Sequence, residues 1–96
     1  MRLTAKIGGV EHKSIEKPKM KHLRIGGKLG NMQKKMEDEP DVMYEYIDEI
    51  YTYIKDTFPK VQDEDIDNMP AEKFMELVAD IAQWANGGHA GEQKKN

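Results

Sequence analysis

The stretch 41–58 constrains this chain more than any other part of its sequence. With Met43 set at 0°, the 3.6-residue period brings Ile47, Ile50, Ile54 and Phe58 within about 60° of it. Asp41, Glu45, Asp48, Glu49, Thr52, Lys55 and Asp56 fall on the opposite half. The pattern predicts an amphipathic helix. Glu37, Asp38 and Glu39 stand before it, where acidic side chains favour the positive end of the helix dipole. Pro59 stops it, because a residue before proline is pushed out of the α region. Tyr44 and Tyr51 flank the stripe on one side, Tyr46 and Tyr53 on the other. The apolar arc is then about 180° wide, more than one neighbour can cover. The helix must lie between two elements, or a tyrosine edge must meet another molecule.

A second helix is predicted at 70–86. Phe74, Leu77, Val78, Ile81, Trp84 and Ala85 share one face, and Glu72, Lys73, Glu76, Asp80 and Gln83 the other. Asn68 or Met69 caps it, Pro70 suits its first turn, and Gly87-Gly88 reads as its end. Residues 89–96 have no apolar anchor and read as a disordered tail. Between the two helices, Asp63–Asn68 is an acidic link with one helical turn, anchored by Val61 and Ile66. Trp84→Ala is expected to cost about 3–5 kcal/mol if the indole is buried.

The N-terminal residues 2–16 have a different period. Leu3, Ala5 and Ile7 alternate with Arg2, Thr4 and Lys6, as in a half-buried strand. Gly8-Gly9 supplies the positive φ of a tight hairpin turn, and Val10 and His12 begin a return strand, with His12 placed on its exposed side. Between hairpin and helix lies 18–38. Pro18 suits a first helical position, and Met20 and Leu23 could follow on one face. They point away from Ile25, Leu29, Met32 and Met36, however, and Gly26-Gly27 sits at the phase jump. The glycine pair predicts a break there, leaving 18–38 as one kinked helix or as a loop with two turns. The expected architecture is one domain over residues 1–88, mainly α, with three or four helices and an N-terminal β-hairpin (α+β).

Charge divides the chain in two. Residues 1–36 hold ten Lys/Arg against Glu11 and Glu16, net +8, and residues 37–96 hold five Lys against sixteen Asp/Glu, net −11. Such polarity lets the ends attract within one molecule or between copies, offers a basic arm to an acidic partner or nucleic acid, or forms two solvated faces. With no cysteine there is no disulfide, thiolate zinc site or cysteine nucleophile. No apolar run approaches the ~18 residues of a membrane span. Arg2 and Lys6 are not followed by the apolar stretch of a secretory signal, so a cytoplasmic protein is expected.

Motif chemistry is weak. Asp63, Asp65 and Asp67 match the first alternating positions of an EF-hand loop, but its glycine position is Asn68 and its bidentate Glu position is Phe74. His12, His22 and His89 share no ligand spacing. Gly27-Lys28-Leu29-Gly30 fits the G-x-x-G loop of KH modules, but the acidic helices after it do not. Ser14, the only serine, belongs to the hairpin, and no nucleophile–base set or carboxylate pair can be argued. The expectation is a protein without cofactor, metal or catalytic role.

As a whole the chain resembles the tail assembly chaperones of long-tailed (siphovirus-like) phages and prophages. The resemblance lies in the hairpin Ala5-Lys6-Ile7-Gly8-Gly9-Val10-Glu11-His12, the following Lys17-Pro18-Lys19-Met20-Lys21-His22-Leu23-Arg24, and the closing helix from Pro70 to Trp84. It implies a non-catalytic factor in the host bacterial cytoplasm that binds the tape-measure protein and the major tail protein during tail morphogenesis. It also implies a longer frameshifted product, for which the codons of Lys94-Lys95-Asn96 could supply an A-rich slippery run. Six methionines beyond Met1 supply flexible, polarizable side chains of the kind used at permissive binding surfaces. The expected partner-binding residues are Tyr44, Tyr46, Tyr51, Tyr53, Met36 and Met43, with Arg24, Lys34 and Lys35 meeting an acidic segment. Self-association is a further expectation from the charge polarity. The alternative function is a small nucleic-acid-binding regulator using the basic N-terminal segment.

Overall fold

The structure is a computed structural model that describes the backbone of residues 2–94 and the side chains of residues 2–86. It is mainly helical, with an N-terminal two-stranded antiparallel hairpin and four helices among the described residues. The elements are β1 (Thr4–Ile7), β2 (Val10–Lys13), α1 (Met20–Lys35), α2 (Val42–Thr57), α3 (Asp63–Asp67) and α4 (Ala71–Lys94).

The hairpin follows from its glycines. Ile7 pairs with Val10, so only Gly8 and Gly9 turn the chain, at φ 61° and 78°. A two-residue turn with positive φ at both positions matches the right-handed twist of the strands. The predicted alternation holds along β1, where Ile7 is buried, Leu3 and Ala5 are half-buried, and Thr4 and Lys6 are exposed. His12 is a correction: it pairs across from Ala5 and is half-buried with it, on the inner face. Two strands cannot hold alone, and Ser14 moors them. Its Oγ accepts from the Leu3 N–H at 2.7 Å and donates to the Ile15 carbonyl, while the Ile15 N–H donates to the Thr57 carbonyl at the end of α2.

The predicted break at Gly26-Gly27 does not occur, and α1 is one continuous helix. Its buried face is His22, Ile25, Leu29 and Met32. The phase jump arises only if Met20 and Leu23 are placed in the core. Both are exposed, at 77% and 42%, and His22 takes the inner position. A glycine in a helix interior costs about 1 kcal/mol, which the packing of this face outweighs. Helix α1 also starts later than predicted. Lys19 is its N-cap and Pro18 stands outside, while the Lys19 N–H donates to His22 Nδ1 at 3.0 Å.

Helices α1 and α2 lie antiparallel. Lys21 bridges to Asp56 at 3.4 Å and Lys28 to Glu49 at 3.1 Å, so position rises along one helix as it falls along the other. Such partly exposed pairs are worth about 0–1 kcal/mol each and act mainly on register. Ile50, Ile54 and Phe58 are fully sealed between α1, α2 and α4, with Val61, Ile66, Leu77 and Ile81 closing the core. Trp84 is half-buried and packs against the core at its margin, and the sealed Ile50, Ile54 and Phe58 lie deeper. The predicted end of the last helix at Gly87-Gly88 is likewise moved. Helix α4 continues through the pair to Lys94, taking in most of the expected tail, with Lys95 and Asn96 outside the described residues. No helix among the described residues is long and apolar enough to cross a membrane.

Candidate protein-binding surface

The two tyrosine pairs of α2 have opposite fates. Tyr46 and Tyr53, seven residues apart and so on one helix face, turn inward and are 7% and 1% exposed. Tyr46 Oη accepts from Gln33 Nε2 at 3.0 Å. Tyr53 reaches α1 where Gly26 has no side chain, and a Cβ there would stand 3.5 Å from its Oη. The missing Cβ at Gly26 and the large area of the rings draw this side of α2 inward. The buried face therefore lies nearer Tyr46 and Tyr53 than the Met43-centred stripe predicts. These two tyrosines are corrected from surface to core.

The same rotation lifts the other side of α2 out. Met43, Tyr44 and Ile47 are exposed at 47%, 71% and 36%. Met43 and Ile47 are one turn apart, with Tyr44 beside them, so the first half of α2 carries a contiguous apolar strip. Tyr51 continues this side one turn later but is half-buried. Its hydroxyl donates to Asp67 Oδ1 at 2.6 Å, and its ring lies 6.0 Å from that of Phe74. The hydrogen bond to Asp67 first, and then partial burial, push its phenol up to about 12. Tyr51 thus clamps α3 and α4 onto α2. Lys55, which bridges to Asp63 at 2.7 Å, assists it.

Met36 is half-buried against the core, just past α1. Arg24, Lys34 and Lys35 are all exposed on α1. Arg24 and Lys35 share a face with Lys21 and Lys28, whereas Lys34 lies about a quarter-turn away, in line with Leu23. The nine predicted residues are therefore not one surface. Met43 and Tyr44 belong to an exposed apolar strip, the three cations to the outside of α1, and Met36, Tyr51, Tyr46 and Tyr53 to the packed body. Sequence reasoning missed Ile47, Met20 and Leu23 as surface residues. For α1 the signal was present: the run His22, Ile25, Leu29, Met32 keeps one phase once histidine is allowed as a core residue.

The described residues contain no group of three or more His, Asp or Glu side chains placed to hold a metal. Clefts flank the hairpin on both sides. One of about 570 Å³ lies between β1 and the start of α4, and its lining includes Lys6, Asp65, Lys73 and Glu76. Comparison with family models, curated proteins and solved structures returns no match.

Proposed function

We propose that this chain is a non-catalytic protein-binding factor of the tail assembly chaperone type. In this reading it works in the cytoplasm of a bacterial host and holds a tape-measure protein, with the major tail protein, until the tail tube is built. The observation that carries the reading is the exposed strip Met43, Tyr44 and Ile47 on an otherwise well-packed helix. A row of large apolar side chains on a rigid helix suits helix-against-helix recognition, and methionine and tyrosine adapt to varied partners at little entropic cost. Arg24, Lys34 and Lys35, exposed on α1, add attraction for an acidic segment of the partner. Co-expression with a tape-measure fragment encoded beside this gene tests the reading. Complex formation that weakens on Tyr44→Ala with Ile47→Ala supports it. Absence of tail genes around the coding sequence, or capture indifferent to these changes, overturns it.

A nucleic-acid reading has one observation in its favour. Helix α1 carries Lys21, Arg24, Lys28, Lys34 and Lys35 and no acidic residue. Phosphate binding through them would fall steeply between low and moderate salt by counterion release. The net −11 of residues 37–96 opposes a duplex, and silence in a low-salt gel shift dismisses this reading.

A further inference from the structure

Each strand of the hairpin has one edge that the other strand does not use. The Ser14 N–H donates to the Leu3 carbonyl, and hydrogen-bonded pairs alternate along an antiparallel ladder. In the register Ala5↔His12 and Ile7↔Val10, the backbone groups of Val10, His12 and Ser14 therefore face β1. Those of Glu11 and Lys13 face away from it. Among the described residues they find no backbone partner on that outer edge, which is closed only further on, where the Ile15 N–H meets the Thr57 carbonyl.

A cleft of about 540 Å³ runs along this edge, between β2 and the Pro59-Lys60 turn after α2. Its volume is within the ~300–1,000 Å³ of ligand clefts. Val10 lies on the same face as the buried Ile7 but is 57% exposed, and with Ile15 and Pro59 it gives the cleft an apolar surface. Arg2, Lys13 and Lys60 stand around it, all exposed, against one acid, Glu11. The cleft on the β1 side has the opposite balance, with Lys6 and Lys73 set against Asp65, Glu76 and Asp80.

We infer that the outer edge of β2 takes an acidic, extended segment of another protein as a third strand. An open strand edge is matched by a partner that offers backbone N–H and C=O groups at a strand's spacing, which is a peptide and not a nucleic acid. The three cations call for Asp or Glu in that peptide. Val10 points to the inner face of the hairpin and Lys13 to the outer. Side chains alternate between faces along a strand, so the segment that fits alternates apolar and acidic residues. The site goes beyond the helix recognition proposed for the Met43–Tyr44–Ile47 strip and does not rest on it. Ile47 and Thr57 are ten residues apart on α2, about 15 Å at 1.5 Å per residue, so the two surfaces lie toward opposite ends of that helix.

Nuclear magnetic resonance titration of the isotope-labelled full chain tests this, with a capped peptide of alternating glutamate and valine long enough to span β2. Binding should saturate, shift the Glu11 and Lys13 amides, slow their hydrogen exchange about tenfold, and weaken as salt is raised. Methylating the peptide's backbone nitrogens keeps its charge and side chains and should abolish the protection. Lys13→Glu with Lys60→Glu, both at exposed positions, should weaken binding about tenfold. A peptide with lysine in place of glutamate should fail against the parent chain, which tests the charge requirement even if the double variant does not fold. Absence of a saturable shift at about 1 mM peptide overturns the inference. So does equal binding of the methylated peptide, which marks a site for charge alone, or tighter binding of a single-stranded oligonucleotide at the same amides. Protection of the Glu11 and Lys13 amides in the concentrated chain without peptide also overturns it, because a second copy then fills the edge. Failure here leaves the tape-measure reading standing, since that reading is tested by capture of a different protein through Tyr44 and Ile47.

Discussion

The His22 imidazole meets the edge of the Trp84 indole nearly perpendicularly, with ring centroids 5.3 Å apart and planes at 85°. This contact joins α1 to α4 through a histidine that is fully buried. It explains why α1 begins where it does. The same imidazole accepts the Lys19 N–H through Nδ1, so one side chain both starts the helix and fills the core.

That double role predicts acid sensitivity. Burial holds the imidazole below its ordinary 6.5, against the pull of Asp56 on α2, with Lys19 and Lys21 nearby on the α1 side. Tyr53 of α2 and Trp84 of α4 face it as uncharged rings. The folded chain then binds fewer protons than the unfolded chain as pH falls through 6.5. The His22 contribution is intact above that value and is lost below it, down to the lower folded value. Thermal melts between about pH 7 and about pH 5 should show the parent losing stability more steeply than His22→Phe.

Glycines in α1 make a second prediction. An added Cβ at Gly27 or Gly30 meets nothing within 4 Å. Alanine at either position should stabilise the chain by about 0.5–1 kcal/mol, a rise of a few degrees in melting temperature. A drop in melting temperature would mean that these positions are not in a regular helix.

The two inward tyrosines should respond oppositely to loss of their hydroxyls. Tyr53 Oη finds no hydrogen-bond partner among the described residues, whereas Tyr46 Oη accepts from Gln33. Removing a desolvated, unpaired hydroxyl relieves its burial cost, and removing a paired one forfeits the bond. Tyr53→Phe should therefore be neutral to stabilising by about 1 kcal/mol, and Tyr46→Phe destabilising by about as much, in urea unfolding.

Tyr51 should be visible as a late-titrating phenol. Its bond to Asp67 pushes it up to about 12. Ultraviolet titration of Asp67→Asn should bring one tyrosine back toward the ordinary 10, with little change in stability, because the hydrogen bond lies at the exposed edge of a half-buried ring.

The hairpin was legible because Gly8-Gly9 falls between alternating residues, and only one turn geometry accommodates two successive positive φ values. Helix α2 was legible in extent from its period and from Pro59, but not in rotation. Its arc holds more apolar side chains than one face can bury, and the choice depended on Gly26 and Gln33, more than twenty and about a dozen residues before the tyrosines they receive. Local period carries no such information. The continuity of α1 was obscured by reading Leu23 as core and His22 as surface, when hydropathy alone cannot see that Nδ1 is satisfied by the Lys19 N–H. The exposed apolar strip was half legible. Tyr44 and Met43 were identified, but Ile47 was assigned to the interior and Tyr46 and Tyr53 to the outside.

Under the proposed function, the outward strip of α2 holds another protein. The most direct test is calorimetric titration of a tape-measure fragment, from the same gene cluster, into the parent chain and into Met43→Asp with Ile47→Asp. The parent should bind saturably and the variant at least tenfold more weakly, with the variant's melting temperature unchanged within a few degrees. Equal binding by both chains, or none by the parent, would contradict it.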